Sequence, residues 1–306
     1  MSAHQTLAAG TPPAGRWKRL GFGATPVAFD LNNVFGMVVG PQNCGKSYLV
    51  QSNPDAFIIN ADDSPVVNPH GQACIWPARD TNGRIIDLDG KPMVLTWDAI
   101  EKKKQLLIEM AKANEDRPKC VVLDTLFPVI RLLKQHVTQQ YGKQNFEDLH
   151  GPMAYERVYG ALIEFALSLR QHGYGVWYVA HLSKKWVPLS ETSNVEEYRM
   201  AMSDGLQERL SKTVEMIAPI KATHETKTYA EEQTITVGAK EIKRQVTKTR
   251  PVICRTIAFS DPAFSHLIRT RTLRPMPDVP LDEGNPWETF SRAFKTAIEP
   301  LSGADA

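Results

Sequence analysis

The chain has 306 residues, 42% of them hydrophobic, so it is long and apolar enough to bury a sizeable core and is not disordered throughout. Its 36 Lys and Arg residues against 34 Asp and Glu residues give a formal charge of +2, which excludes nucleic-acid binding through bulk charge alone. The four cysteines lie far apart without a CxxC pair, which argues against a zinc or redox motif. The chain has neither a leader-like apolar start nor an apolar run of about 18 residues, so we expect a soluble cytoplasmic protein that does not enter a membrane.

The first two thirds of the chain predict buried strands that alternate with helices. Residues 1–15, rich in Ala, Gly, Pro and Thr, show no hydrophobic period and are expected to form a flexible tail. Apolar runs with the length of buried strands begin at Val34, Ala56, Cys120 and Gly175. Helices are predicted between them, one capped by Thr96 and a long amphipathic one over residues 153–171. This alternation is typical of a mostly parallel sheet with helices on both faces.

Other segments predict more exposed structure. Residues 64–92 are expected to form a surface excursion with a hairpin that turns at Asn82-Gly83. The sequence becomes polar after residue 185 and then predicts a helix over residues 205–217. Strands that are antiparallel to their neighbours are predicted in residues 225–238, 250–259 and 265–273. We expect an α/β domain over residues 16–275, followed by a C-terminal extension with a short helix over residues 276–306.

The strongest motif lies between the first predicted strand and the following helix. It matches GxxxxGK[ST] and reads Gly40, Pro41, Gln42, Asn43, Cys44, Gly45, Lys46 and Ser47, followed by Tyr48. Glycines at both ends let the backbone wrap around a phosphate, so that amide groups and the helix N-terminus face the anion. Lys46 would reach the β and γ phosphates, and the Ser47 hydroxyl would ligate Mg²⁺. The motif therefore predicts binding of ATP with Mg²⁺ by the residues from Gly40 to Tyr48.

Polar residues at the ends of the other predicted strands suggest the rest of a catalytic site. Asp124 ends CVVLD and is the expected second magnesium residue, because parallel strands bring their carboxyl ends to one edge of a sheet. Asp62 and Asp63 are alternatives for a base that orients the attacking water, although such a pair also suits a turn. His181 closes the fourth strand, either as a structural residue or as a sensor of the γ phosphate.

These residues resemble the RecA superfamily of P-loop ATPases, and especially compact phage-encoded nucleotide-binding proteins. The resemblance rests on GPQNCGKS, IINAD, VVLDT and VWYVAHLS and extends over about residues 31–275. It implies a RecA-like P-loop NTPase core in which Asp62 takes the place of the catalytic glutamate, one methylene shorter. Several of the phage proteins act in single-strand annealing or recombination, which implies binding of single-stranded DNA and, for a phage protein, the bacterial host cytoplasm.

The resemblance also implies assembly into a ring or filament. In similar ATPases a basic pair near the end of the core reaches the neighbouring subunit's γ phosphate, and Arg269 and Arg271 occupy that place here. Both would point to the same face of a strand. The alternative is a solvated or DNA-facing strand.

Candidate DNA contacts follow the third and fourth strands, where family logic places the inner surface of such assemblies. Lys184, Lys185 and Trp186 offer two phosphate contacts and one stacking plane, and Lys134 and Lys143 belong to the earlier loop. Residues 240–274 add nine Lys or Arg residues against two acids, a pattern that also fits a solvated face.

The leading hypothesis is therefore an ATPase that oligomerises and binds single-stranded DNA in recombination, annealing or replication, with a single-strand binding protein or a replication protein as a further partner. The alternatives are a nucleotide-switched loader or assembly regulator without direct DNA binding, and a P-loop kinase of small molecules.

Overall fold

The computed structural model describes residues 30–62, 73–87, 89–149, 152–190, 193–237, 240–270, 272 and 274–298. The expected tail at residues 1–15 lies outside these ranges. The strands are β1 (Phe35–Gly40), β2 (Ala56–Asn60), β3 (Cys74–Trp76), β4 (Ala78–Arg79), β5 (Ile85–Ile86), β6 (Cys120–Asp124), β7 (Gly175–Ser190), β8 (Ser193–Met200), β9 (Met216–Val237), β10 (Lys240–Ile257) and β11 (Val279–Pro280). The helices are α1 (Lys46–Gln51), α2 (Trp97–Lys112), α3 (Leu126–Gln140), α4 (Pro152–Gln171), α5 (Asp204–Thr213) and α6 (Pro286–Ile298).

One large sheet organises these elements. Its strand order is β11-β10-β9-β1-β7-β6-β2-β3, and β8 pairs with β7. The strands from β9 to β3 are mutually parallel, whereas β10 and β11 add antiparallel pairs at the other side. The predicted fold class, a mostly parallel sheet with antiparallel strands toward the C-terminus, is confirmed.

Helices cover both faces of the sheet, because its central strands are apolar on both faces until they reach its carboxyl edge. Met37 and Val39 of β1 belong to a core with α2, α3 and α4, while Val38 belongs to a second core with α1 and α6. All six residues of β1 and all five of β6 are buried. The Thr96 hydroxyl accepts a hydrogen bond from the Ala99 amide, so the predicted cap of α2 is confirmed.

The predicted excursion after β2 contains the hairpin that the Asn-Gly sequence indicates. Strands β4 and β5 pair antiparallel, and Gly83 adopts φ +78° in the turn between them. Strand β3 joins the central sheet, parallel to β2.

Two hairpins, β7 with β8 and β9 with β10, extend beyond the parallel part of the sheet. The sequence becomes polar after residue 185, but β7 continues through this segment and pairs antiparallel with β8. Strand β9 pairs with β1 from Met216 to Pro219, and within the described part of the chain it pairs with β10 from Ile220 onward. We call residues 221–237 and 240–256 the distal hairpin. At about 3.3 Å per residue, its 17-residue strands are roughly 55 Å long.

Two predicted elements differ from the structure. The helix expected over residues 205–217 ends at Thr213, because the next apolar run, from Met216 to Pro219, forms the buried start of β9. The strand expected over residues 265–273 is absent from the described residues there, where Arg269 makes only an isolated bridge to Ile217. Hydrophobic spacing alone does not distinguish a short strand from the end of a helix.

Candidate functional site

The loop from Gly40 to Ser47 joins β1 to α1 and has the compact backbone that its glycines permit. Gly45 adopts φ +97°, and a Cβ atom there would lie 2.5 Å from Arg255 Cδ. At Gly40 a Cβ atom would lie 2.5 Å from Cys44 Sγ and 2.6 Å from the Ile220 carbonyl oxygen. At Gly40 the Ile220 carbonyl oxygen therefore leaves no room for a side chain, and at Gly45 the positive φ would strain any residue other than glycine.

Lys46 is held inside this loop. Its side chain donates hydrogen bonds to the carbonyl oxygens of Gly40 at 3.0 Å and Pro41 at 2.5 Å, and the residue is only 4% exposed. Burial lowers the pKa of Lys46 because desolvation penalises its charged form. An anion in the loop would restore a countercharge to this ammonium group.

Ser47 and Asp124 meet across the carboxyl edge of the sheet. The Ser47 hydroxyl donates a 3.1 Å hydrogen bond to Asp124 Oδ1. Asp124 ends β6 and is 3% exposed, and burial raises its pKa to about 6. A hydroxyl and a carboxylate oxygen are ligands that suit Mg²⁺, so this pair fits the metal that the sequence predicts.

Asp62, two residues after the end of β2, and His181 of β7 line the same cavity. The prediction that His181 closes its strand is wrong, because β7 continues to Ser190. His181 of β7 is in register with Gly40 of β1, and Asn60 of β2 is in register with Asp124. Burial and, second, the charge of Lys46 lower the pKa of His181, which favours a neutral imidazole. Asp63, the alternative to Asp62, lies outside the described residues.

The cavity encloses about 470 Å³ and has more polar neighbours than the motifs predict. The loop contributes Gln42, Asn43, Gly45, Lys46 and Ser47, with Tyr48 beside them. Sequence reasoning missed Gln51, Asn60, Thr125 and Arg255. The first three have a sequence signal: Gln51 lies one helical turn after Ser47, Asn60 lies two residues before Asp62 on β2, and Thr125 follows Asp124. Arg255 has none, because the antiparallel strand β10 brings it to the loop from far along the chain.

Several of these side chains have polar atoms without a partner. Gln51 Oε1, Thr125 Oγ1, His181 Nδ1 and Arg255 Nε are buried and make no hydrogen bond to any of the described residues. A buried polar atom without a partner is costly, and four such atoms around one cavity indicate a polar ligand that satisfies them.

The cavity is not lined by the other predicted residues that the structure describes, Arg269, Lys134, Lys143, Lys184 and Lys185. Arg269 donates from its guanidinium group to the Ser211 carbonyl oxygen, and Arg271 lies outside the described residues. The prediction that Lys134 belongs to a loop is wrong, because it lies within α3, with its ammonium group over the rings of Phe146 and Tyr155. Lys143 follows α3 and is exposed. Lys184 and Lys185 are exposed on β7; Trp186 follows on that strand, and its side chain is outside the described part.

The comparison with protein families agrees with this geometry. A family model described as an AAA domain, AAA_24, matches residues 32–251, more than two thirds of the chain. The chain belongs to this family. It therefore carries an AAA-type domain of the nucleotide-binding ATPase kind, which accounts for the phosphate loop and the cavity beside it. No curated protein matches the chain.

Across the described ranges, each helix of this AAA-domain chain is too short or too polar to cross a bilayer.

Proposed function

We propose that this chain is a Mg²⁺-dependent, RecA-like ATPase that assembles into oligomers and binds single-stranded DNA in recombination, annealing or replication. The observation that carries its nucleotide part is the group of four buried polar atoms without partners around the phosphate loop. A nucleoside triphosphate offers phosphate oxygens to the donors and ribose hydroxyls and base nitrogens to the acceptors.

Phosphate and metal binding are assigned to the loop and the end of β6. Lys46 supplies the cation for the β and γ phosphates, and the loop amides supply further donors. Ser47 and Asp124, which lie within hydrogen-bond distance of each other, hold the magnesium ion. The ion supplies charge neutralisation on the phosphate oxygens when it is bound.

The base that orients water is assigned to Asp62. Among the described residues that line the cavity, Asp62 and Asp124 are the only acids, and Asp124 is assigned to the metal. Thr125, not an acid, follows Asp124, so the base comes from the end of β2 as in the RecA-type proteins that the sequence resembles. His181 is assigned as the sensor of the γ phosphate.

The DNA-binding part of the proposal rests on strand β7. This strand continues from His181 at the cavity to the exposed side chains of Lys184 and Lys185, roughly 10 to 13 Å further along. A change at the γ phosphate is therefore connected by one strand to two cations that suit a nucleic-acid backbone. Trp186, the next residue, is the stacking residue that the sequence predicts, and its side chain lies outside the described part.

ATP turnover with and without single-stranded DNA tests the proposed function. Stimulation by DNA is expected. An ATP turnover rate that is the same with and without DNA would favour a nucleotide-switched loader or regulator. Transfer of phosphate to a small acceptor would favour a kinase.

A double variant, Lys184→Ala with Lys185→Ala, tests the surface itself. It should weaken single-strand binding equally for all sequences and reduce the log-log salt slope by roughly 1.4, as expected for two lost phosphate contacts. The matched control replaces Lys102 and Lys112, two exposed lysines of α2, and should leave the slope unchanged. An unchanged salt slope in the Lys184→Ala, Lys185→Ala variant would contradict DNA binding by this surface and would favour the basic residues of the distal hairpin as the DNA contact.

Assembly is proposed on the sequence resemblance, with Arg271 acting on the neighbouring subunit's nucleotide. Arg269 is bonded within its own chain, so Arg271 is the better candidate of the pair. Specific turnover should rise with protein concentration, and mixing Arg271→Ala with Lys46→Ala subunits should restore part of the activity. Full turnover by a monomer would exclude this arrangement.

A further inference from the structure

Arg255 lies against the phosphate loop although it belongs to a distant strand. It is near the base of the distal hairpin, opposite Ala222, and its Cδ atom occupies the space above Gly45. The guanidinium carbon lies 6.0 Å from the centroid of the Tyr48 ring. Arg255 thus forms one wall of the cavity, in the same subunit as Lys46.

Asp282 fixes the position of this side chain. Its carboxylate accepts a 3.0 Å hydrogen bond from Arg255 Nη1 and a further one from the Arg255 amide. Both side chains are about 30% exposed, and ion pairs with this exposure contribute little to stability. The pair therefore orients the guanidinium group more than it stabilises the fold.

One donor of this oriented group has no acceptor. Arg255 Nε is buried and makes no hydrogen bond to any of the described residues, while Nη1 on the same group is satisfied by Asp282. A guanidinium group always carries its proton, so Nε requires an acceptor. The anionic oxygens of a nucleotide bound on the loop beneath it are acceptors of the right charge.

We propose that Arg255 binds a phosphate oxygen of the nucleotide from within the same subunit, through Nε, while Asp282 holds its Nη1 atom. This inference rests on the proposed nucleotide binding and adds a cation that the loop motif does not contain. It also joins the nucleotide to the base of the distal hairpin and to the segment that leads into α6, because Arg255 and Asp282 belong to these two elements.

Equilibrium binding of ATP, ADP and adenosine to Arg255→Ala, measured by calorimetry, tests the proposal. Loss of one hydrogen bond between charged groups should weaken ATP and ADP binding by about 10- to 100-fold. Adenosine has no phosphate, so its affinity should stay within twofold. Arg255→Lys keeps the charge but lacks Nε, and should still weaken ATP binding by about fivefold or more. The melting temperature of the ligand-free Arg255→Ala protein should stay within about 2 °C, since a partly exposed ion pair contributes little to stability.

Arg209→Ala is the matched control. Arg209 pairs with Glu156 and lies over Tyr159, as Arg255 pairs with Asp282 and lies over Tyr48, but it does not line the cavity. Its ATP affinity should not change.

Three results would overturn the proposal or its basis. ATP affinity within twofold for Arg255→Ala, while Lys46→Ala loses binding, rejects the role of Arg255 and leaves the nucleotide site in place. An equal loss for adenosine identifies a contact to the base and rejects the phosphate contact. Normal ATP binding by Lys46→Ala rejects the proposed function itself. If Arg255→Ala does not fold, Arg255→Lys gives the same decision.

Discussion

The buried strands around the cavity and the strands of the distal hairpin have similar hydrogen bonding but very different surroundings. Strands β1 and β6 are buried at every residue, and polar side chains appear only where they end. From Thr223 to Glu232, by contrast, every residue of β9 is exposed. Isolated two-stranded hairpins are marginally stable in water, whereas burial on both faces fixes a strand. Burial therefore positions the nucleotide site, whereas the hairpin is held mainly by its own backbone pairing.

The largest expected effect concerns the core behind the loop. Phe290 of α6 is fully buried, with its ring centroid 5.9 Å from that of Trp177 and 6.0 Å from that of Trp287. Phe290→Ala should lower the free energy of unfolding by about 3–5 kcal/mol, because it removes buried contacts and leaves a cavity. Urea unfolding measures this change. A loss under about 1 kcal/mol would show that α6 is not part of the core that supports the loop.

The second effect concerns the ammonium group inside the loop. Lys46→Ala should weaken ATP binding by at least about 100-fold, since Lys46 is the buried cation of the loop and charged hydrogen bonds to phosphate are strong. Lys112→Ala, on the exposed side of α2, is the control for a lost charge. Equilibrium titration with ATP decides, and affinity unchanged within twofold would contradict the assignment of the loop.

The third effect is on turnover alone. Asp62→Asn keeps the shape of the side chain and removes its basicity, so ATP should bind normally while turnover falls about 100-fold. Single-turnover hydrolysis measures the chemical step. If hydrolysis continues at the original rate, Asp63 or another carboxylate has this role.

These site residues were predictable because parallel strands end at one edge. The motif predicted Lys46 and Ser47. The apolar runs before Asp62, Asp124 and His181 indicated that each lies at the carboxyl edge of the parallel strands, and all of them line one cavity although β7 continues past His181. Their chemical roles remain predictions.

Three features could not be predicted from the sequence: the place of Arg255 at the loop, the continuation of β7 and the start of β9. Arg255 could not be found, since antiparallel pairing over a long hairpin determines which residue returns to the loop. The continuation of β7 past Lys185 and the start of β9 were also missed. In these segments the strand forms because it hydrogen-bonds to a neighbouring strand, and the spacing of hydrophobic residues does not predict that pairing.

The fourth effect is a gain in stability at the site. Asp124 is buried, and its pKa of about 6 lies above its ordinary value of 3.8, so the folded state favours the protonated form. The metal-free protein should therefore lose stability as pH rises from about 4 through 6.

Asp124→Asn removes the charge and keeps an acceptor for Ser47. Above pH 7, with a chelator present, the variant should melt about 2–4 °C higher, equivalent to about 1 kcal/mol, and the gain should vanish near pH 4. A lower melting temperature at high pH would contradict the cost of this buried charge.

The smallest effect is expected in the distal hairpin. Ile253 is 44% exposed and lies opposite His224, so Ile253→Ala removes few contacts that water does not already replace. Its free energy of unfolding should change by less than about 0.5 kcal/mol, far less than for Phe290→Ala, when both are measured at low protein concentration. The concentration matters because an assembled protein could cover this face of the hairpin. If the loss of unfolding free energy caused by Ile253→Ala rises with protein concentration, the hairpin is buried against another subunit in the assembly and is exposed only in the monomer. A cost above about 2 kcal/mol at every concentration would instead show that the hairpin packs on its own domain, and would remove the contrast with the buried strands.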